Sequence, residues 1–260
     1  MHMPVITGLI KRRLLINFRA DPDAVKRVLP SGFSPKLQES NAIVGVCLIR
    51  LEQVRPKGFP ALVGIASENA AYRIAVEWTN PDGRPGQGVY IPRRDTNSLL
   101  NVFVGGRMFP GVHHHAHFAT EDDGKIVSIS VKPDDSAAEV EVSGIEGDSL
   151  PASSCFASLE DASAFFDQGC IGYSVSDVAG RLDGLKLETH HWEVRPLDVM
   201  NIHSGFFFDK RHFPKGTVEF DHGLVMRNVR HDWLALPPFK LSASYRKAGF
   251  VQDQSSVSQQ

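Results

Sequence analysis

Residues 122–132 read DDGKIVSISVK, and this stretch shows the pattern that decides the fold. Asp122-Asp123-Gly124 is typical of a tight turn, because acidic residues and glycine favour the backbone angles that turns require. Beyond the turn, apolar residues alternate with serines, so that Val127, Ile129 and Val131 share one face. Alternation with a period of two indicates a β-strand with one apolar face.

The same combination of a short strand and a turn recurs along the chain. Asn80-Pro81-Asp82-Gly83 and Asp183-Gly184 are further turn-forming segments. Many strands without a β-α-β rhythm favour a mostly antiparallel fold, built as a large barrel or as paired sheets, over a doubly wound one. The predicted strands are Ala42–Leu51, Tyr72–Trp78, Gly88–Ile91, Leu99–Val104, His113–Ala119, Ile126–Val131, Glu139–Val142, Lys186–Val194, Val218–Val229 and Leu241–Tyr245.

Two segments carry helix signals. Asp21 is suited to cap a short helix that has Pro22 in its first turn and that Pro30 ends. Ser158 is suited to cap a second helix, which Gly169 ends. A few helices among many strands predict an α+β class that is mostly antiparallel β.

The chain of 260 residues shows no internal repeat and no linker between domains. We therefore predict one β domain over residues 1–251. From about Gln252 the sequence is rich in serine and glutamine and poor in apolar residues. This composition predicts a disordered polar tail over residues 252–260.

Composition argues against several classes of partner. The net charge is −2 and no long cluster of lysine and arginine occurs, so no nucleic-acid partner is expected. No apolar run approaches the ~18 residues of a membrane span, so no membrane partner is expected. Cys47, Cys155 and Cys170 are far apart in the chain, which fits free thiols in a reducing compartment. A cytoplasmic location is the simplest expectation.

The order of several segments resembles a known superfamily. The segment from Arg13 to Pro22, the sequence Leu29-Pro30-Ser31-Gly32-Phe33 and the motif Gly106-Arg107-Met108-Phe109 resemble segments of the acetoacetate decarboxylase-like superfamily. The resemblance implies a cone-shaped antiparallel β-barrel that encloses a small-molecule pocket, with a few helices outside. The second half is similar to its uncharacterised DUF2071 or YqjF-like branch, through Ser158-Leu159-Glu160, Phe165-Phe166, Gly172-Tyr173-Ser174, Trp192-Glu193-Val194, Phe213-Pro214-Lys215-Gly216, Val218-Glu219-Phe220-Asp221, Met226-Arg227 and His231-Asp232-Trp233.

The resemblance also implies where a catalytic group would lie. Decarboxylases of this superfamily form a Schiff base between a buried lysine and the substrate ketone. Counting onward from the Gly-Arg motif reaches Val112-His113-His114-His115, so that His114 replaces the lysine and His115 its neighbour. Histidine forms no stable iminium, and Schiff-base decarboxylation is therefore not expected. The metal-free chemistry of the superfamily implies that no cofactor is needed.

The histidine-rich run 113–117 leaves three interpretations open. On a strand, His113, His115 and His117 share one face, which suits a zinc or iron site that a remote carboxylate or another histidine completes. His114 shares the other face with Ala116 and would be an acid–base group of an enclosed pocket, because the pKa of histidine lies near neutrality. The third interpretation is structural, with surface histidines and one hydrogen-bonded core histidine.

Three further residues are candidates through the resemblance. Glu68 corresponds to a carboxylate that contacts the substrate or the catalytic amine, although a shift of one residue would put Asn69 there. Arg73 and Arg107 are candidates to hold an anionic ligand, since guanidinium pairs bidentately with a carboxylate. On a straight strand Arg73 faces away from Glu68, so both line one pocket only if the strand contains a bulge.

Together these features predict a barrel that binds a small oxo acid or carbonyl compound. If the protein is an enzyme, we expect lyase-like chemistry without a covalent lysine, with His114 and Glu68 as catalytic groups and Arg73, Arg107 and His115 as ligand contacts. One alternative is a non-catalytic ligand-binding or interaction protein. Another is a metal-dependent enzyme that uses the His113/His115/His117 face. A homo-oligomer is compatible with each of these.

Overall fold

The structure is a computed structural model that describes residues 4–99, 102 and 111–241. The predicted polar tail, residues 252–260, lies outside these residues. Among the described residues, no helix has both the length and the apolar character needed to cross a membrane. The strands are β1 (Ile6–Ala20), β2 (Ser34–Pro35), β3 (Leu37–Gln38), β4 (Asn41–Pro56), β5 (Ile65–Thr79), β6 (Pro85–Thr96), β7 (His114–Asp122), β8 (Ile126–Pro133), β9 (Val140–Glu146), β10 (Ile171–Val175), β11 (Arg181–Thr189), β12 (Arg195–Ser204) and β13 (Val218–Lys240).

The strands form one sheet that closes on itself. Its order is β11-β10-β6-β7-β8-β9-β12-β13-β1-β4-β5-β2, and further pairings join β5 to β6 and β11 to β13. Two closed rings result, which share β13, β1, β4, β5 and β6. Neighbouring strands are antiparallel except where β6 pairs with β7 and with β10. The predicted mostly antiparallel, strand-rich fold is confirmed.

Alternation along β1 divides the apolar residues between two cores. Leu14, Ile16 and Phe18 belong to the larger core, which the ring of strands surrounds, and we call this side of the sheet the inner face. Leu15 belongs to the smaller core on the opposite side, the outer face. The inner core is filled by large side chains, including Phe207, which contacts Phe18, Phe206 and Phe213.

Both predicted helices form where their caps predict. Helix α1 (Pro22–Val28) begins after Asp21, whose carboxylate accepts a hydrogen bond from the Ala24 amide at 2.7 Å. Helix α2 (Leu159–Asp167) begins after Ser158, whose hydroxyl accepts from the Asp161 amide at 3.1 Å. Helix α1 packs on the inner core and α2 on the outer face.

The strand predictions differ from the structure mainly in length and in five omissions, of which β2 and β3 are strands of two residues each. The run Ala42–Leu51 lies inside the longer β4, and the runs predicted in β5, β6 and β13 are likewise extended. β1, β10 and β12 are absent from the predicted strands, because their apolar residues are interrupted by charged or small ones. The run predicted from Lys186 to Val194 is wrong in its second half, since β11 ends at Thr189.

The predicted strand Leu99–Val104 is also wrong where it is described, because Leu99 and Val102 are helical. The other residues of that run lie outside the described part of the chain, as does most of the predicted strand Leu241–Tyr245. The turn predicted at Asn80-Pro81-Asp82-Gly83 does join β5 to β6, and Gly83 has a φ of +81°. Glycine adopts this left-handed conformation without a steric penalty.

Replacing Phe207 by alanine tests whether side-chain packing in the inner core stabilises the ring of strands. Phe207 is 0% exposed, so truncation leaves a cavity in the inner core. We expect the free energy of unfolding to fall by about 3–5 kcal/mol in a denaturant titration. The control is Phe59→Ala, at a side chain that is 59% exposed, which we expect to cost less than about 1 kcal/mol. Equal losses in the two variants would contradict a packed interior.

Candidate functional site

The alternation of β7 separates its histidines between the two faces of the sheet. Ala116 is fully buried in the inner core, and His114 lies on the same side of the strand. His115 and His117 lie on the opposite side and contact Asp134 at 2.9 and 3.5 Å. The face of β7 that carries His114 therefore points into the ring of strands.

Strand pairing brings further polar residues beside His114 on the inner face. Asp95 of β6 pairs with His114 on one side and with Ala70 of β5 on the other. Two residues earlier in β6, Arg93 pairs with Tyr72, which is completely buried in the inner core. We call Tyr72, Arg93, Asp95 and His114, together with Asp135 from the segment after β8, the inner cluster.

Arg93 connects the buried end of the inner cluster to its exposed end. Its Nε donates to both oxygens of Asp95, at 2.9 and 3.1 Å. Its two terminal nitrogens donate to the two oxygens of Asp135, at 2.8 and 2.9 Å. Asp135 Oδ2 lies 3.8 Å from His114 Nδ1. The side chain of Asp95 is 0% exposed whereas those of His114 and Asp135 are 35% and 34% exposed, so the cluster runs from the interior to solvent.

The pKa of Asp95 depends on its burial and on Arg93, which Asp95 shares with Asp135. Burial raises the pKa of Asp95 to about 6, although the charge of Arg93 acts to lower it. Burial acts to lower the pKa of Arg93, but its hydrogen bonds to Asp135 and the charge of Asp95 leave that pKa above its usual range. The ion pair with Arg93 does not cancel the effect of burial on the pKa of Asp95, because Arg93 divides its five donors between two carboxylates.

His114 is suited to accept a proton. Burial and the nearby positive charge of Arg93 lower its pKa, and the carboxylate of Asp135 only partly offsets them. A lowered pKa keeps the imidazole neutral near pH 7, which is the form that acts as a general base.

Arg93, Tyr72 and Asp135 were not identified as site residues from the sequence. The available signal is that Arg93 and Asp95 follow the apolar run 89–91 and share one face of the strand by its period of two, since charged residues are rarely buried without partners. Asp135 lies beyond the end of β8, and only the folded chain brings it to Arg93.

Glu68 is on the inner face but does not contact His114. Its carboxylate accepts a hydrogen bond from Arg12 Nη2 at 2.7 Å, and Arg12 also approaches Asp122 at 3.3 Å. Burial raises the pKa of Glu68 despite the charge of Arg12. The expected partnership of Glu68 with His114 is thus replaced by an ion pair with Arg12, and the carboxylate found next to His114 is that of Asp135.

The other candidate ligand contacts do not join the inner cluster. Arg73 faces the outer side of the sheet, where it donates to the side-chain oxygen of Asn17. It therefore does not line a common pocket with Glu68, as a straight strand predicts. His115 also faces outward. Arg107 lies outside the described residues.

The predicted metal face is only partly assembled. His115, His117 and Asp134 place one potential ligand atom each within 4.8 Å of one another. His113 is not part of this group, because its Nδ1 is 3.1 Å from the Gly111 carbonyl oxygen and it lies beside Arg94. A metal site on this face would consist of two histidines and an aspartate rather than of three histidines.

None of the lysines in the described residues is buried. Lys36 and Lys186 are half-buried, and the other described lysines are exposed. A Schiff-base lysine must be desolvated for its amine to be neutral and nucleophilic. Burial lowers the pKa of Lys36, but Lys36 lies beside Arg13 and Arg73 on the outer face. No lysine among the described residues belongs to the inner cluster.

The raised pKa of Asp95 predicts a specific pH dependence of stability. The folded protein binds the Asp95 proton more tightly than the unfolded chain, so its stabilisation is complete below about pH 4 and is lost as the pH rises through about 6. Relative to Asp95→Asn, which cannot titrate, we expect the wild-type free energy of unfolding to fall by about 3 kcal/mol over this interval. Denaturant titrations across the pH series measure the difference, and a flat difference would contradict the raised pKa.

Solved structures with the same fold include an acetoacetate decarboxylase, an acetoacetate decarboxylase-like enzyme and an enduracididine biosynthesis enzyme. An acetoacetate decarboxylase from Legionella pneumophila superposes with a TM-score of 0.57 and 13% identity, covering 93% of this chain and 88% of that one. An acetoacetate decarboxylase-like enzyme from Sphingomonas wittichii gives a TM-score of 0.57 and 11% identity, covering 93% of both chains. The enduracididine biosynthesis enzyme MppR, solved in complex with pyruvate, gives 0.55 and 15%, covering 93% and 91%. At sequence identities this low, the superpositions show that the fold is shared and show nothing about activity.

Sequence comparison gives the family. No curated protein sequence is significantly similar to this chain. Residues 10–222 match the model of the DUF2071 family, which is described as an uncharacterised conserved protein. This match spans most of the chain and includes most of β1, all of β6 and β7, and the Arg93–Asp135 pair. The chain is therefore a member of the DUF2071 family with an acetoacetate decarboxylase-like fold.

Proposed function

We propose that this protein binds a small oxo acid or related carbonyl compound at the inner cluster. The ligand's carboxylate would pair with Arg93, and its carbonyl end would lie towards His114. The proposal moves the anion-binding role from Arg73 and Arg107 to Arg93, while His114 keeps the role expected from the sequence.

The pairing of Arg93 with Asp135 is the observation that carries the proposal. Both terminal nitrogens of Arg93 hold the two oxygens of one carboxylate, which is the geometry by which guanidinium recognises carboxylic acids. Asp135 is partly exposed and lies outside the regular strands, so an incoming carboxylate can compete with it for Arg93. In the unliganded protein Asp135 would occupy the position that a ligand carboxylate takes.

The related structures support the class of ligand. MppR, which has the same fold, was solved in complex with pyruvate, a small oxo acid. A shared fold does not by itself establish a shared activity. Arg93 and His114 therefore carry the proposal for this chain, and the relatives indicate only that the fold accommodates such a ligand.

If the protein is catalytic, its chemistry would be non-covalent proton transfer. Neutral His114 would remove a proton from the carbon next to the ligand's carbonyl, and the electron pair would pass to the carbonyl oxygen as an enolate forms. Returning the proton to carbon, or expelling a leaving group from the enolate, would complete an isomerisation or a lyase reaction. A protein that keeps the binding step without this chemistry is the first alternative.

A metal-dependent activity is the second alternative, and one observation favours it. His115, His117 and Asp134 form a group of the type that binds zinc or iron with open coordination positions. These residues are on the outer face, opposite His114, so metal bound there would not be part of the inner cluster. Metal analysis of the purified protein, with His117→Gln as the control, distinguishes this alternative.

Two neighbouring aspartates provide a matched test of the binding proposal. Asp135→Asn removes the internal competitor for Arg93, and we expect pyruvate to bind about tenfold more tightly, equivalent to about 1.4 kcal/mol. Asp134→Asn changes an aspartate on the outer side and should leave the affinity unchanged. Isothermal titration calorimetry in the presence of a chelator measures both. Equal affinities in wild type and Asp135→Asn would contradict the role of Arg93.

The same measurement tests His114. We expect His114→Gln to weaken pyruvate binding several-fold, because the variant loses the imidazole beside the proposed carbonyl position. His117→Gln, at a side chain that is 78% exposed on the outer face, is the matched control and should bind as the wild type does. A loss of affinity in His117→Gln rather than in His114→Gln would move the site to the outer face.

Reduction with borohydride tests the absence of a covalent intermediate. After incubation with acetoacetate and borohydride, we expect the mass of the intact protein to stay unchanged. The reason is that His114 replaces the Schiff-base lysine of the superfamily when residues are counted onward from the Gly-Arg motif. A lysine-dependent acetoacetate decarboxylase treated in parallel should gain the mass of a reduced adduct. An adduct on an interior lysine of this protein would refute the non-covalent mechanism.

A further inference from the structure

A group of cations without acidic partners lies on the outer face of the sheet. Arg13, Arg73 and Arg94 surround Cys47, which pairs with Ala71 across the β4–β5 ladder. Ala71 pairs in turn with Arg94, and Arg13 Nε lies 3.2 Å from Cys47 Sγ. We call Arg13, Arg73 and Arg94 the outer arginine group.

The hydrogen-bond partners of these arginines are all neutral. Within the described residues, Arg73 donates to Asn17, Arg94 to Ser174 Oγ at 3.0 Å, and Arg13 to the sulfur atoms of Cys47 and Met226. None of the three forms a salt bridge within the described residues. The buried arginines of the inner face differ, since Arg12 and Arg93 each contact two carboxylates.

Arg73 is the most deeply buried member of the group. It is 6% exposed, and its Nε atom has no hydrogen-bond partner in the part of the chain that the structure describes. Phe166 of α2 covers its guanidinium, with the ring centroid 4.7 Å from Cζ. A buried cation with an unused donor is costly unless an opposite charge approaches it.

Hydrogen bonds connect Arg73 to the carboxylate of Asp221 through the side chains of Asn17 and His222. Asn17 Nδ2 donates to His222 Nε2 at 2.8 Å, and His222 Nδ1 donates to Asp221 at 2.5 Å. Asn17 and His222 therefore separate Arg73 from Asp221. Glu77, an exposed residue, acts on Lys36 at the rim of the same region.

Arg73 also lines a small cavity. It has a volume of about 30 Å³ and is lined by Arg13, Lys36, Arg73, Phe165, Phe166 and Gly169. A water-sized sphere needs about 10–15 Å³, so the cavity accommodates an occupant of two or three such atoms. Its three charged lining residues are all cations.

We infer that this cavity is a binding site for one small monovalent anion, of the size of chloride or of a formate-like carboxylate. The anion would accept hydrogen bonds from Arg73, and Arg13 and Lys36 would add positive potential. Because the cavity joins β1, β4 and β5 to α2, the bound anion would fasten the helix to the sheet. The site is on the opposite face from the inner cluster and does not depend on the function proposed there.

Thermal unfolding of the full chain tests the inference. At constant ionic strength, replacing sodium gluconate, whose anion is too large for the cavity, with sodium chloride should raise the wild-type unfolding midpoint by about 5 °C. In Arg73→Met the midpoint should not respond to this exchange. Arg211→Gln, which changes an exposed arginine paired with Asp209, should respond as the wild type does. A sodium formate series shows whether a carboxylate replaces the halide.

Diffraction from crystals soaked in sodium bromide locates the site without any variant. An anomalous bromide peak beside Arg73 Nε would support the inference even if Arg73→Met failed to fold. The inference is overturned if that position holds no bromide, or if Arg73→Met responds to chloride as the wild type does.

Discussion

The pairing of β1 with a strand on each side is the constraint on which the rest of the molecule depends. β1 pairs with β13 along one edge and with β4 along the other, and both closed rings contain these three strands. Since side chains alternate along a strand, this double pairing gives every residue of the shared wall a fixed side. Leu14 and Ile16 fill the interior, whereas Arg13 and Asn17 face α2. The same alternation along β5 and β6 places the inner cluster and the outer arginine group on opposite sides of the sheet.

The sequence was sufficient for some features that depend on local chemistry, although Leu99 is helical rather than extended and the turn predicted at Asp183-Gly184 lies within β11. The caps at Asp21 and Ser158 predicted both helices, and the period of two predicted the inward side of β8. The same period placed Arg73 opposite Glu68. These predictions succeeded because each depends on residues a few positions apart.

Features that depend on register between distant strands could not be predicted in this way. Asp95 lies beside His114 because β6 and β7 pair in parallel, and no local pattern in either strand indicates that pairing. Arg93 and Arg94 are adjacent in the sequence and face opposite sides of the sheet, and no local pattern shows that Arg93 is the one that pairs with carboxylates. Asp135 and Arg12 become partners of buried charges only through folding, so the sequence did not indicate that Glu68 would be paired with Arg12.

The central role of β13 also has a consequence for how the chain folds. This strand is 23 residues long, follows all the other described strands in sequence, and pairs with β1, β11 and β12. Ile6 and Trp233 are partners in the ladder although more than two hundred residues separate them. Such non-local contacts slow folding, because the entropy of closing a long loop is lost before the contacts form. During synthesis one edge of β1 stays unpaired until β13 leaves the ribosome, which exposes a long strand edge to aggregation.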